Sequence, residues 1–315
     1  MNARQVGYYV ALALIWGVSF TLIVRVVAVF GWVGAVSLRA FAACLILGVL
    51  AFATRRKLDF GGAWRPLAIV GSTTVAGQLL GLSYAAPRIG TAMAAIIVGT
   101  IPLFSMVIGQ AWGIEKFTGH GRLGLVLGIG GIVLLVGFPS VPFTSEFAMG
   151  CAASLFGSLS AAIGSNVARH SLQTVGSWEQ TIGAFLFGGI VAFPMLLMVP
   201  VPVIPTLSEV GELFLLAGLC SCLTYIMYFR LVAEVGATIA ISVEFAVTLV
   251  AVAIGALLLG ERLTTAQLIG GVTISAGRAR SEHRPGTLGA TVNTAGGTLP
   301  YSMETTSRDR DPWVK

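Results

Sequence analysis

Apolar stretches of about 20 residues, separated by short polar or proline-rich breaks, recur from Tyr8 to about Gly277. Runs of that length match helices that cross a hydrocarbon core of ~30 Å. The pattern predicts ten spans: Tyr8–Val29, Ser37–Ala53, Pro66–Tyr84, Gly90–Gly113, Gly119–Phe138, Phe147–Ala168, Trp178–Met198, Glu212–Leu231, Gly236–Gly260 and Thr264–Gly277. The first apolar run reaches Phe30 with Arg25 inside it and no small-residue cleavage site, so it reads as a spanning helix. The tenth is short, about 20 Å of helix. After it the chain turns to "RARSEHRPGTLG", and the Thr-, Gly-, Arg- and Pro-rich segment 278–315 reads as a disordered cytoplasmic tail.

Composition agrees. Of 315 residues, 56% are hydrophobic and 10% charged, and the mean hydropathy is +0.90. A soluble domain carries about a quarter charged residues, so the fold class expected is all-α integral membrane. Cys44, Cys151, Cys220 and Cys222 all fall in apolar runs without a CxxC spacing and read as packing residues. The net charge of +6 does not imply a nucleic-acid partner, because in a membrane protein the location of the basic residues matters more than their sum. With ten spans, Arg4, the loop "TRRKLDFGGAWR", Lys116, Arg122, Arg169, His170, Arg230, Arg278 and Arg280 share one side. Arg25, Arg88 and Arg262 lie on the other. The positive-inside rule then puts both termini in the cytoplasm of a cell whose inner membrane the chain crosses many times.

A shift of 146 residues brings Gly90 onto Gly236, Gly109 onto Gly255, Glu115 onto Glu261, Thr118 onto Thr264 and Gly124 onto Gly270. "GQAWGIEKFTG" thereby aligns with "GALLLGERLTT" without a gap. The expected organisation is two five-helix repeats, 1–140 and 141–277. An odd number of spans per repeat inverts the second half, a design found in secondary transporters that work by alternating access. The early "IWGVSF", the "SLRAFAACLIL" of the second span and the pair "GIEKFTG" and "GERLTTAQLIGG" resemble the drug/metabolite transporter superfamily, EamA type. That resemblance runs from Tyr8 to about Gly277. It implies a central cavity lined by spans 1, 3, 4, 6, 8 and 9, with spans 5 and 10 at the periphery or a homodimer contact. It also implies export or exchange of a small organic solute, and it leaves the substrate open.

Glu244 lies about 12 Å along the ninth span when counted from Gly236. A charge at such depth is costly, so the residue should face protein or a water-filled cavity. There it suits proton coupling or a substrate amine; the alternative is a carboxyl held by helix-to-helix hydrogen bonds. Its repeat counterpart is Val98, so packing of the repeat does not demand an acid. Arg39, in "SLRAF", resembles a recurrent family arginine, and snorkelling to the interface is as good a reading as contact with solute.

Trp16, Gln78, Tyr84, Asn166, Tyr225 and Tyr228 are the other polar or aromatic groups in or near the spans. Tyr84, Trp112, Tyr225 and Tyr228 suit an interfacial aromatic belt. Gln78 and Asn166 are deeper, and each amide needs a partner from another helix or from solute. The residues expected to bind substrate or couple transport are Glu244, Trp16, Gln78, Asn166, Arg39, Tyr84 and Tyr225. Pro102 and Pro194 are expected to kink their helices. Small residues in "AGQLLG" and "GSLSAAIGS" allow close helix packing.

The aspartates fall outside the spans, His170 and His283 lie in a loop and the tail, and His120 sits at the loop edge of the fifth span; HExxH, Walker A and GxSxG patterns are absent. Protease, metalloenzyme and ATP-driven pump readings are therefore weak, and no cofactor or metal is expected. The chain reads as a secondary transporter of a small metabolite, amino-acid-like or amphipathic, with membrane lipid as its surroundings. A channel or a lipid scramblase is the alternative.

Overall fold

The computed structural model describes residues 2–113, 130–131, 144–235, 240, 242–258, 260, 264–265, 269 and 272. The spans expected at Gly119–Phe138 and Thr264–Gly277 fall almost wholly outside the described residues. So do the Glu115 and Glu261 loops and the tail 278–315.

The described chain is helical and contains no strand. α1 covers Ala3–Ala53, α2 Trp64–Val70, α3 Gln78–Ile89, α4 Thr91–Val98 and α5 Ile101–Ala111. α6 is Ser145–Ser171, α7 Ser177–Met198, α8 Leu207–Ala217, α9 Thr224–Val235 and α10 Val243–Leu258. A π-helical segment, Gly71–Gly77, joins α2 to α3, and a second, Gly218–Leu223, joins α8 to α9. Among the described residues six stretches are long and apolar enough to cross a membrane: Ala3–Ala53, Trp64–Ile89, Thr91–Ala111, Ser145–Ser171, Ser177–Met198 and Leu207–Val235. α10 is apolar but shorter. Large apolar side chains inside the membrane-length helices, such as Leu45 (59% exposed) and Phe156 (61%), point outward, as a lipid-facing surface requires.

At 51 residues α1 would be roughly 76 Å long if straight, more than twice the hydrocarbon thickness. It is interrupted at Gly31, where φ is 69° and ψ 165°. Only glycine takes such a conformation freely, so the first two expected spans meet at one residue instead of through a loop. An Asn2–Gln5 capping box starts the helix. The stretch Thr91–Ala111 is broken at Gly99–Thr100. Pro102 lacks the N–H that would bond the Val98 carbonyl, and the Thr100 hydroxyl donates to the Ile97 carbonyl at 2.6 Å. Pro194 sits inside α7, less than two turns from its end.

Glycines set the closest packing. A Cβ on Gly77 would lie 2.8 Å from the Cβ of Ser160, and one on Gly157 would lie 3.0 Å from the carbonyl oxygen of Gln78. The small-residue runs of the third and sixth spans therefore pack against each other. The part of α1 after Gly31 packs on α7, with Gly189 against Phe41 and Ala40. The part before it packs on α10, with Gly17 against Val250. Two ion pairs tie α1 to the antiparallel stretch Leu207–Val235 at its opposite ends, Arg4–Glu234 at 3.3 Å and Arg25–Glu212 at 2.7 Å.

Candidate solute cavity

A cavity opens among α1, α3, α4, α5, α6, α9 and α10, with an empty volume of ≈ 660 Å³ counting the space at its mouth. Five of the seven expected site residues are brought to its wall or rim: Trp16, Arg39, Gln78, Tyr225 and Glu244. Tyr228 joins them.

The two π-helical segments shape this wall. Each widens its helix by an extra residue per turn, a feature frequent at functional sites. Gln78 follows the first directly, and Tyr225 lies just after the second. The indole N–H of Trp16 donates to the hydroxyl of Thr224 at 2.9 Å, and that hydroxyl donates to the carbonyl of Cys220 at 2.9 Å. The Trp16 ring meets Tyr225 edge-on (centroids 5.7 Å apart) and Tyr228 at a tilt (5.6 Å). Phe185 backs Tyr225 at 5.0 Å. The belt reading is therefore corrected for Tyr225 and Tyr228. Both are buried in an aromatic cluster, because α9 turns them toward α1 and not toward lipid.

Arg39 does not snorkel. It is 3% exposed, and its Nε–H donates to Ser221 Oγ at 2.6 Å and its Nη2 to the Cys220 carbonyl at 3.1 Å. Glu244 is 9% exposed and lies in the first turn of α10. The sequence pattern placed it two turns into a helix starting at Gly236, whereas Ser242 is a turn and α10 begins at Val243. A carboxylate is favoured at a helix N-terminus. The Thr248 hydroxyl bridges the backbone carbonyls of Glu244 (2.8 Å) and Ala95 (3.0 Å), so α10 is fastened to α4 beside it. Tyr225 lies within electrostatic reach of both Arg39 and Glu244.

The remaining two expected residues stand apart from the cavity lining. The Asn166 amide donates to Ser105 Oγ (2.9 Å), the Ser105 carbonyl (3.2 Å) and the Ala162 carbonyl (2.9 Å), a tie between α6 and α5. Tyr84 meets Trp32 edge-on, and the Arg88 guanidinium lies 3.7 Å from its ring centroid.

Residues that the sequence pattern did not single out also line the cavity, among them Ser19, Leu79, Leu82, Ile101, Ser165 and Val247. The offset of 146 points from Tyr225 and Tyr228 to Leu79 and Leu82; the other four carried no such signal. Ser19 and Ser165, Leu79 and Tyr225, Leu82 and Tyr228, Val98 and Glu244, and Ile101 and Val247 are all lining positions 146 apart. The π-helical segments obey the same offset, since Gly71–Gly77 shifted by 146 covers 217–223.

The model of the EamA-like transporter family matches residues 5–137 and, a second time, residues 148–279. The chain belongs to the EamA-like transporter family. As a member of it, and with its apolar helices, it is a multi-pass membrane protein of the drug/metabolite transporter superfamily. Among curated relatives, Protein PecM of Dickeya dadantii (strain 3937) is 28% identical over 240 residues, 75% of this EamA-like chain and 80% of that protein. A solved crystal structure of a protein matches with a TM-score of 0.61 at 16% identity, covering 90% of this chain and 98% of that one, which is a likeness of fold.

Proposed function

We propose that this protein is a secondary transporter of the cytoplasmic membrane that exports or exchanges a small organic metabolite, amino-acid-like or amphipathic, by alternating access. The cavity carries the reading: five pairs of positions 146 residues apart line it. Such pairing is what two inverted five-helix halves, 1–140 and 141–277, produce around a shared site. The double match of the family model supports the same organisation. On this reading ten helices cross the membrane with both termini in the cytoplasm. Spans 5 and 10 stand at the periphery or provide a homodimer contact.

Glu244 couples proton movement to solute movement, because it is the acidic member of a pair whose other member, Val98, is apolar. Trp16, Tyr225 and Tyr228 form the apolar wall, and Gln78 adds a polar amide. Asn166 and Tyr84 support the surrounding helices.

The test is counterflow of a solute panel in proteoliposomes across a pH series, comparing wild type with Glu244→Gln. The expected result is saturable, pH-dependent flux in wild type and loss of the pH dependence in the variant, with expression retained. An unchanged pH profile would leave Glu244 a structural group. Solute-independent ion current or lipid flipping would replace the carrier reading with the channel or scramblase one.

A further inference from the structure

Arg39 brings to the cavity a chemistry that proton coupling leaves unused. Its guanidinium is almost fully buried, yet the two acceptors that hold it, Ser221 Oγ and the Cys220 carbonyl, are uncharged. Arg39 takes part in neither of the ion pairs Arg4–Glu234 and Arg25–Glu212. A buried cation without an anion is destabilising unless an anion comes to it.

The geometry of the fork says which anion fits. A guanidinium has two edges that each present a pair of parallel N–H groups. Ser221 and Cys220 take the edge made by Nε and Nη2. The edge made by Nη1 and Nη2 has no hydrogen-bond partner among the described residues. Both holding residues lie on the π-helical segment Gly218–Leu223, and the Ser221 hydroxyl is itself committed as a donor to the Leu216 carbonyl at 3.2 Å. The fork is thus fixed in orientation before any solute arrives.

We propose that Arg39 is the specificity-determining residue of this cavity and that the solute carries a carboxylate, received by the open Nη1–Nη2 edge. Two carboxylate oxygens match two parallel N–H groups. Arg39 is the one basic residue in the described lining, so the second charge of a dianion such as a phosphate monoester finds no second cation there. The inference rests on the carrier reading and narrows its substrate to carboxylates, amino-acid-like solutes included, while excluding cationic amphiphiles.

The experiment uses the full chain in proteoliposomes. Counterflow is measured for L-leucine against L-leucinamide, L-phenylalanine against L-phenylalaninamide, and 4-methylpentanoate against 4-methylpentanamide. 3-Methylbutyl phosphate and tetraphenylphosphonium complete the set. At least one carboxylate is expected to move about tenfold or more faster than its amide, since a site built to bond a group rejects the analogue that lacks it. Arg39→Gln is expected to bring acid and amide to parity. Arg39→Lys, which keeps the charge but not the fork, is expected to retain a reduced preference and stands in if the glutamine variant does not reconstitute. Amides or tetraphenylphosphonium carried as well as the carboxylates would overturn the inference and leave the carrier reading intact. Preferred flux of the phosphate ester, or a preference that survives Arg39→Gln, would do the same. Absence of saturable flux for every solute would remove the carrier reading and this inference with it.

Discussion

At Trp16 one side chain joins three parts of the cavity wall. Its indole N–H is held by Thr224, and its ring faces Tyr225 and Tyr228. Phenylalanine at this position keeps an aromatic face but removes the donor. A net hydrogen bond contributes about 1 kcal/mol, so Trp16→Phe is expected to lower stability in detergent micelles by about that much. Thr224 keeps its bond to Cys220, so the loss should not grow beyond it. Equilibrium unfolding checks this, and wild-type stability in the variant would mean that the bond contributes nothing. Arg39 shows why some of the site was illegible in the sequence. A charged residue near a span end looks the same whether it reaches for lipid phosphate or turns inward. The deciding partners, Cys220 and Ser221, lie about 180 positions away and carry no charge to advertise the contact.

Helix-scale features divide by whether hydropathy registers them. The apolar runs put span limits near those of α6 and α7, because lipid-facing and core-facing positions are both apolar and only the ends change solvent. The Gly31 junction and the two π-helical segments leave no such mark: neither a single positive φ nor a shifted hydrogen-bond ladder alters the apolar pattern. Close packing was legible as small residues, though which helices met was not. The junction of the π-helical segment with α3 meets α6 through Gly77 and Gly157, where side chains would strike Ser160 and the Gln78 backbone. Replacing Gly157 by leucine is therefore expected to cost at least about 1–3 kcal/mol by overpacking, read as lost monodispersity and lower thermal stability. Gly48→Leu is the control, since a Cβ there meets nothing within 4 Å. Equal behaviour of the two variants would show that α3 and α6 can separate without penalty.

Around the cavity, lining positions 146 apart come in pairs, and in three of the five the first member is aliphatic and the second a tyrosine or an acid. Leu79, Leu82 and Val98 line one cavity together with Tyr225, Tyr228 and Glu244. If the halves are inverted copies about that cavity, the acid need not belong to the second half, only to the shared space. Exchanging the pair tests this. Glu244→Val alone is expected to abolish pH-dependent counterflow, and adding Val98→Glu is expected to restore it in part. Restoration should be incomplete for a local reason. Glu244 stands in the first turn of α10, where a helix favours a negative charge, whereas Val98 closes α4 at its C-terminal end, where a helix disfavours one. Each effect amounts to about 0.3–1 kcal/mol at an accessible site. Partial recovery with a pH profile of the original sense would mean that the site tolerates its acid on either half. A folded, monodisperse double variant with no pH-dependent flux would tie coupling to α10 itself, and the symmetry of the lining would then be a matter of packing alone.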